Sequence, residues 1–151
     1  MTDVLAPVAG RLLPLSAVPD QVFAGEMVGS GVAIEPSVPA DGADAVVTAP
    51  VAGTVLKLHP HAVIVLSGDG VGVLVHIGID TVNLNGEGFT VIATEKAAVE
   101  AGDPLIAFSP SGIRDRGLSA ICPVVIMDSK PGSITGLQER DVAAGDFVFA
   151  V

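Results

Sequence analysis

A chain of 151 residues, half of them hydrophobic, has the size of one compact domain and enough apolar side chains to bury a core without disulfides. Its formal charge of −10 and its lack of Trp and Tyr exclude the basic stripes and base-stacking platforms of nucleic-acid binders. Mean hydropathy is +0.66, yet apolar runs such as residues 62–66 are broken by Gly, Pro, Asp or His long before the roughly 18 residues of a membrane helix, so no direct membrane insertion is expected.

Eighteen Gly and 11 Pro beside abundant Val and Ala favour short strands joined by tight turns, which predicts an all-β fold in a single domain spanning residues 1–151. From the N-terminus, no basic start leads into an apolar stretch and a cleavage site, which predicts a cytoplasmic protein. The first patterned segment, APVAGRLLPL (6–15), returns as APVAGTVLKL (49–58) with seven of ten positions shared at an offset of 43. Between the two copies, PSVPADGADA (36–45) reads as an exposed loop. VEAGDPLIAF (99–108) and VAAGDFVFAV (142–151) repeat at the same offset, each with a Gly-Asp turn. Two matches at one offset predict a duplicated β unit, and two copies are too few for a solenoid, which leaves a closed antiparallel sandwich or barrel.

After the second APVAG come His59, Pro60 and His61. Pro60 holds His59 extended and removes a ladder donor, which suits an edge or a rim, and on an extended chain both rings project to one side. AVIVLSGDGVGVLVHIGI (62–79) reads as a hairpin turning at Ser67-Gly68-Asp69-Gly70. Val71, Val73, Val75, Ile77 and Ile79 alternate toward a core, which turns Gly72, Leu74, His76, Gly78 and Asp80 to the other side. Further on, SGIRDRG (111–117) can form one helical turn capped by Ser111 and stopped by Gly117. Cys122, within AICPVVIM (120–127), reads as a small buried side chain, because no basic residue adjoins it to favour a thiolate.

The segments VPDQVFAGEMVGSGVAIEP (18–36), APVAGTV (49–55), HAV (61–63), VHIGIDTVNLNGEGF (75–89) and CPVVIM (122–127) together resemble the glucose-type enzyme IIA components of the bacterial sugar phosphotransferase system. The resemblance runs from about Ala6 to Val151 and implies an antiparallel β-sandwich with duplicated halves. It also implies that His76 is phosphorylated and that His61 lies across the site from it. Two departures stand out: the family commonly has a Thr shortly before the HAV histidine, where this chain has Leu58-His59-Pro60, and Asp where this chain has Ser30. Asp80 of HIGID is retained, and an electrostatic role toward a partner is expected for it.

By this resemblance, phospho-HPr is the donor, and a cysteine on the IIB domain of a sugar permease is the acceptor. Both are expected on separate chains, and the five residues before the first APVAG leave no room for an amphipathic membrane tail. His76 is then the nucleophile and His61 the donor that stabilises the transferring group, with His59 auxiliary. Gly78 and Gly72 are expected to keep the approach open, and Val32, Val63 and Ile77 to form an apolar docking rim. No cofactor is required, although zinc can be scavenged by His61 and His76. Two other readings accommodate the same residues. One is a zinc hydrolase using His59, His61, His76 and Asp80, resembling lysostaphin-type peptidases but with the two motifs in the opposite chain order. The other is a regulatory protein whose contacts depend on phosphorylation. A biotin or lipoyl carrier is disfavoured, because no lysine occupies a hairpin tip and Lys130 precedes Pro131.

Overall fold

A computed structural model describes all 151 residues. Thirteen strands carry the fold: β1 (Asp3–Leu5), β2 (Gly10–Pro14), β3 (Gly31–Pro36), β4 (Ala45–Thr48), β5 (Gly53–His59), β6 (Ala62–Ser67), β7 (Gly72–His76), β8 (Phe89–Val91), β9 (Ala98–Val99), β10 (Pro104–Phe108), β11 (Cys122–Ile126), β12 (Arg140–Val142) and β13 (Phe147–Ala150). Every pairing is antiparallel. One eight-stranded sheet runs β12-β2-β3-β11-β7-β6-β5-β9, and two smaller sheets, β4-β10-β8 and β1-β13, complete the β-sandwich.

The 43-residue repeat is realised in equivalent strand pairings and turns. Gly10 pairs with Val142 and Gly53 with Val99, so equivalent residues of the two copies make equivalent ladders at the two edges of the large sheet. The amide of Glu100 donates to the Asp103 carboxylate and that of Ala143 to Asp146, both at 2.8 Å, which closes the same Gly-Asp turn twice. A Cβ on Gly10 would strike the Glu35 carbonyl and one on Gly53 the Leu66 carbonyl, so each APVAG glycine lets a neighbouring strand approach. Exchanging β2 with β5, β3 with β6, β11 with β7 and β12 with β9 reverses the order of the large sheet without changing it. His76 ends β7, one of the two central strands.

Period two places Val32, Ile34, Val63, Val65, Val73, Val75, Val124 and Ile126 on the inner face, against Val47, Leu105, Ile106, Phe108, Val4 and Phe149 of the smaller sheets. The expected inward set holds through Val75 and Ile77 but fails at Ile79. Gly78 has a φ of +74° there, which breaks the alternation and sends Ile79 to the other face. That outer face is covered as well: Leu15, Val18, Ala33, Ala62, Leu74, Ile79, Ile121 and Val125 form a second buried cluster. Its cover comes from the 3-10 turn Leu15–Ala17 and helix α1 (Gln21–Ala24), whose first amides, Val22 and Phe23, are capped by the Asp20 carboxylate.

The expected helix is present as α2 (Pro110–Asp115), with one correction: its cap is Ser109, not Ser111. The Ser109 hydroxyl accepts from the Gly112 amide at 3.0 Å, and Pro110 occupies the first turn, where its missing N–H costs nothing. Residues 37–44 join β3 to β4 as the expected loop, and β6 and β7 form the expected hairpin. Cys122 is fully buried, and burial pushes its thiol up to about 12, in keeping with an inert core side chain.

Candidate histidine site

The three histidines meet at one end of the large sheet. His76, the last residue of β7, is the cross-strand partner of Ala62, and Ala62 is the partner of His59, so His59 and His76 flank a small residue in one row on the outer face. The two-residue hairpin turn Pro60-His61 joins β5 to β6 and sets His61 above this row. His59 and His61 therefore do not share an extended strand, as the spacing alone suggests; the chain reverses between them, as Pro60 allows. The Ile77 amide donates to the His61 carbonyl at 2.7 Å, tying the turn to the chain beyond β7.

The His76 ring is fixed at its Nδ1, which lies 2.6 Å from the Gly78 carbonyl oxygen. A carbonyl can only accept, so Nδ1 carries the proton and Nε2 keeps its lone pair. The left-handed backbone at Gly78 aims that carbonyl. A Cβ on Gly78 would lie 2.6 Å from Thr81 Cγ2 and 2.9 Å from the Ser119 carbonyl, so only glycine fits. The buried Thr81 hydroxyl donates to the Ile77 carbonyl at 2.6 Å and locks the turn. Four rings run in a chain across the site. His59 and His61 are stacked at 5.7 Å and 21°, His61 meets His76 edge-on at 5.3 Å and 69°, and Phe23 of α1 tilts against His76 at 5.2 Å and 54°.

Burial is the main influence on both inner rings. It pushes His76 below the ordinary histidine value, against the Gly78 carbonyl and the Asp20 and Asp80 carboxylates, which pull upward. His61 is lowered by burial and then by the neighbouring His76 and His59. Both rings are thus biased toward the neutral form. His59 and Ala62 line a hollow of about 240 Å³ with Lys57, Ile64 and Leu74, and the larger hollows of about 350 and 360 Å³ contain no histidine. The site is open and shallow.

Several expected residues take other places. Val32, Val63 and Ile77 are at most 1% exposed and belong to the inner core, because their strand parity points them away from the histidine face; they form no docking rim. Gly78 is buried and serves the backbone instead of keeping an approach open. Gly72 begins β7 at the end remote from His76, beside Met127, so it has no part in the approach. Asp80 is exposed in a left-handed conformation close to His76. Ser30 is fully buried: its hydroxyl donates to Glu26 at 2.7 Å and accepts from the Ile134 amide at 3.1 Å, so its side chain faces no partner. His59, His61, His76 and Asp80 do not converge in a three-ligand arrangement for a metal ion. Phe23, Asp20 and Thr81 went unassigned in sequence, although all three lie within VPDQVFAG and VHIGIDTVNLNGEGF, the segments with the most distinctive composition.

No helix is long and apolar enough to cross a membrane. Residues 2–131 match the family described as phosphoenolpyruvate-dependent sugar phosphotransferase system, EIIA 1. Two relatives from Corynebacterium glutamicum are similar to this chain. The PTS system glucose-specific EIIBCA component is 41% identical over 100% of this chain and 22% of its own length. The mannose-specific EIIBCA component is 42% identical over 91% of this chain and 20% of its own. The chain thus spans about a fifth of the length of these relatives. Among solved structures, glucose permease IIA from Mycoplasma capricolum superposes with a TM-score of 0.85 at 33% identity, covering 97% of this chain and 92% of that one. The chain belongs to the EIIA 1 family of the phosphoenolpyruvate-dependent sugar phosphotransferase system.

Proposed function

We propose that the protein is a histidine phosphocarrier that accepts a phosphoryl group from phospho-HPr on Nε2 of His76 and passes it to a cysteine on the IIB domain of a sugar permease, in the cytoplasm. The observation that carries this reading is the 2.6 Å contact between His76 Nδ1 and the Gly78 carbonyl, which keeps the proton on Nδ1 and leaves Nε2 as an unprotonated nucleophile. In loading, the Nε2 lone pair forms the new P–N bond while the P–N bond of the donor breaks. The proton stays on Nδ1 throughout, donated to the Gly78 carbonyl. Charge is spread over the three equatorial oxygens during transfer, so the chain's task is alignment and stabilisation of those oxygens. His61, edge-on to His76, is the donor to them. The reaction needs no cofactor held by this chain.

An open site suits a protein that must engage two partners and release both. The apolar rim expected of it comes from the exposed Val22 and Met27 around α1 and from Val82 after Asp80, in place of Val32, Val63 and Ile77. Steering by the chain's strongly acidic surface suits a locally basic partner. The test is incubation with enzyme I, HPr and phosphoenolpyruvate, followed by intact mass and site-resolved mass spectrometry. One acid-labile phosphoryl group on His76, lost in a folded His76→Ala variant, is expected. Full labelling of His76→Ala, or phosphate on His61 in the unmodified protein, overturns the assignment.

A further inference from the structure

We infer that His59 is the positioning residue for His61: its ring stacks flat on the His61 ring and holds it edge-on to His76. The inference rests on the phosphocarrier reading and concerns what keeps the second histidine in register. His76 has a carbonyl to fix it, whereas no hydrogen bond from the protein holds the His61 ring, whose ring neighbours are His59 at 5.7 Å and 21° and His76 at 5.3 Å and 69°. A side chain at a hairpin tip rotates freely unless something blocks it, and here the flat face of His59 is what lies against it.

The backbone is shaped to put His59 there. In β5, Val55 points into the core, so simple alternation would turn Lys57 and His59 inward as well. A register shift between Val55 and Lys57 inserts one extra residue, after which Lys57 pairs with Ile64 and His59 with Ala62. The bulge reverses the parity and brings His59 to the outer face, in the row that holds His76. Ala62, the cross-strand partner of both, is a small residue. Pro60 restricts the turn that carries His61, which limits the relative motion of the two rings. His59 is itself exposed, so its contribution to core burial is small, and its one close ring partner is His61. Burial, and after it the neighbouring His76 and His59, disfavours a charge on His61, so like charges do not oppose the stack.

The experiment compares His59→Ala and His59→Phe in phosphoryl transfer from the loaded carrier to a IIB domain, with and without His61→Gln. An aromatic pair of this geometry biases orientation by roughly two- to tenfold. His59→Ala is expected to lower kcat by about that factor with little change in KM, and His59→Phe to restore it, because Phe keeps the flat face and discards the ring nitrogens. In the His61→Gln background, His59→Ala is expected to add nothing. Ring signals of His61 should shift in His59→Ala while the His76 Nδ1–H signal stays. A His59→Phe variant as slow as His59→Ala, a His59→Ala variant as fast as the unmodified protein, or an equal loss with His61→Gln overturns the inference. Loading of the unmodified protein is measured first: if His76 takes no phosphate, the carrier reading itself fails, and if it does, the His59 variants judge the positioning role alone.

Discussion

Replacing Gly78 with Ala separates a backbone role for this glycine from a role in leaving space for a partner. Its φ of +74° costs a non-glycine residue about 1–2 kcal/mol. The new Cβ would lie 2.6 Å from Thr81 Cγ2 and 2.9 Å from the Ser119 carbonyl, and relieving such overpacking costs roughly another 1–3 kcal/mol. A loss of about 2–5 kcal/mol corresponds to a fall in Tm of roughly 5–15 °C for a domain of this size. The turn can relax only by moving the Gly78 carbonyl, which weakens its bond to His76 Nδ1. A hydrogen bond worth about 1 kcal/mol corresponds to roughly fivefold slower loading of His76. The assay pairs thermal unfolding by circular dichroism with phosphorylation time courses taken well below the lower Tm. Gly68→Ala is the control, since nothing lies within 4 Å of its added Cβ. An unchanged Tm for Gly78→Ala, or a lowered Tm with loading untouched, refutes the coupling of the Gly78 turn to the His76 ring.

Three further outcomes are expected. In His61→Gln, His76 should still be loaded while onward transfer slows, because Gln keeps an N–H donor but cannot take up a proton when the anionic phosphoryl group arrives beside it, as the otherwise neutral His61 can; absence of loading would contradict the division of roles. In 15N-detected titration, His76 should protonate below the ordinary histidine value of about 6.5, and loading should stay on a plateau at and above that pH and fall as pH drops through the lowered value. Since burial holds its folded-state value below that of the unfolded chain, the stability His76 contributes is complete above the unfolded value and is lost as pH falls; a midpoint above the unfolded value refutes this. Ser30→Ala should lower stability by about 1–3 kcal/mol, seen as a reduced urea midpoint with unchanged slope, because the part-buried Ile134 amide loses its acceptor and Glu26 keeps only the Gly132 amide. An unchanged midpoint would show that water replaces the hydroxyl.

The fold was legible because its signals are local and repeated. APVAG and the Gly-Asp turns recur at one offset, and both copies need the same close approach and the same Asp-closed turn, so the duplication could be read before any contact was known. The strict alternation of Val73, Val75 and Ile77 likewise determined which side of β7 His76 occupies. The docking rim was misread for a related reason. Val32, Val63 and Ile77 neighbour the site residues in the chain, but adjacent positions on a strand point to opposite faces, and these side chains lie in the inner core.

The all-β class, the duplicated halves, the hairpin around residues 67–70 and the three histidines as the chemical equipment follow from local periodicity, turn chemistry or residue type, which the chain carries before it folds. What each histidine touches follows from the packing of distant segments. Gly78 acts through the direction of its carbonyl, and that direction follows from a left-handed turn packed on Thr81 and Ser119, a residue 41 positions away in the chain. The stack of His59 on His61 depends on a bulge that reverses the parity of β5, and the register shift exists only because β5 pairs with β6. Phe23 reaches His76 because α1 folds over a sheet face that also had to be covered. Ring orientation, proton position and burial are properties of pairs of chain segments, so they become definite only when those segments meet.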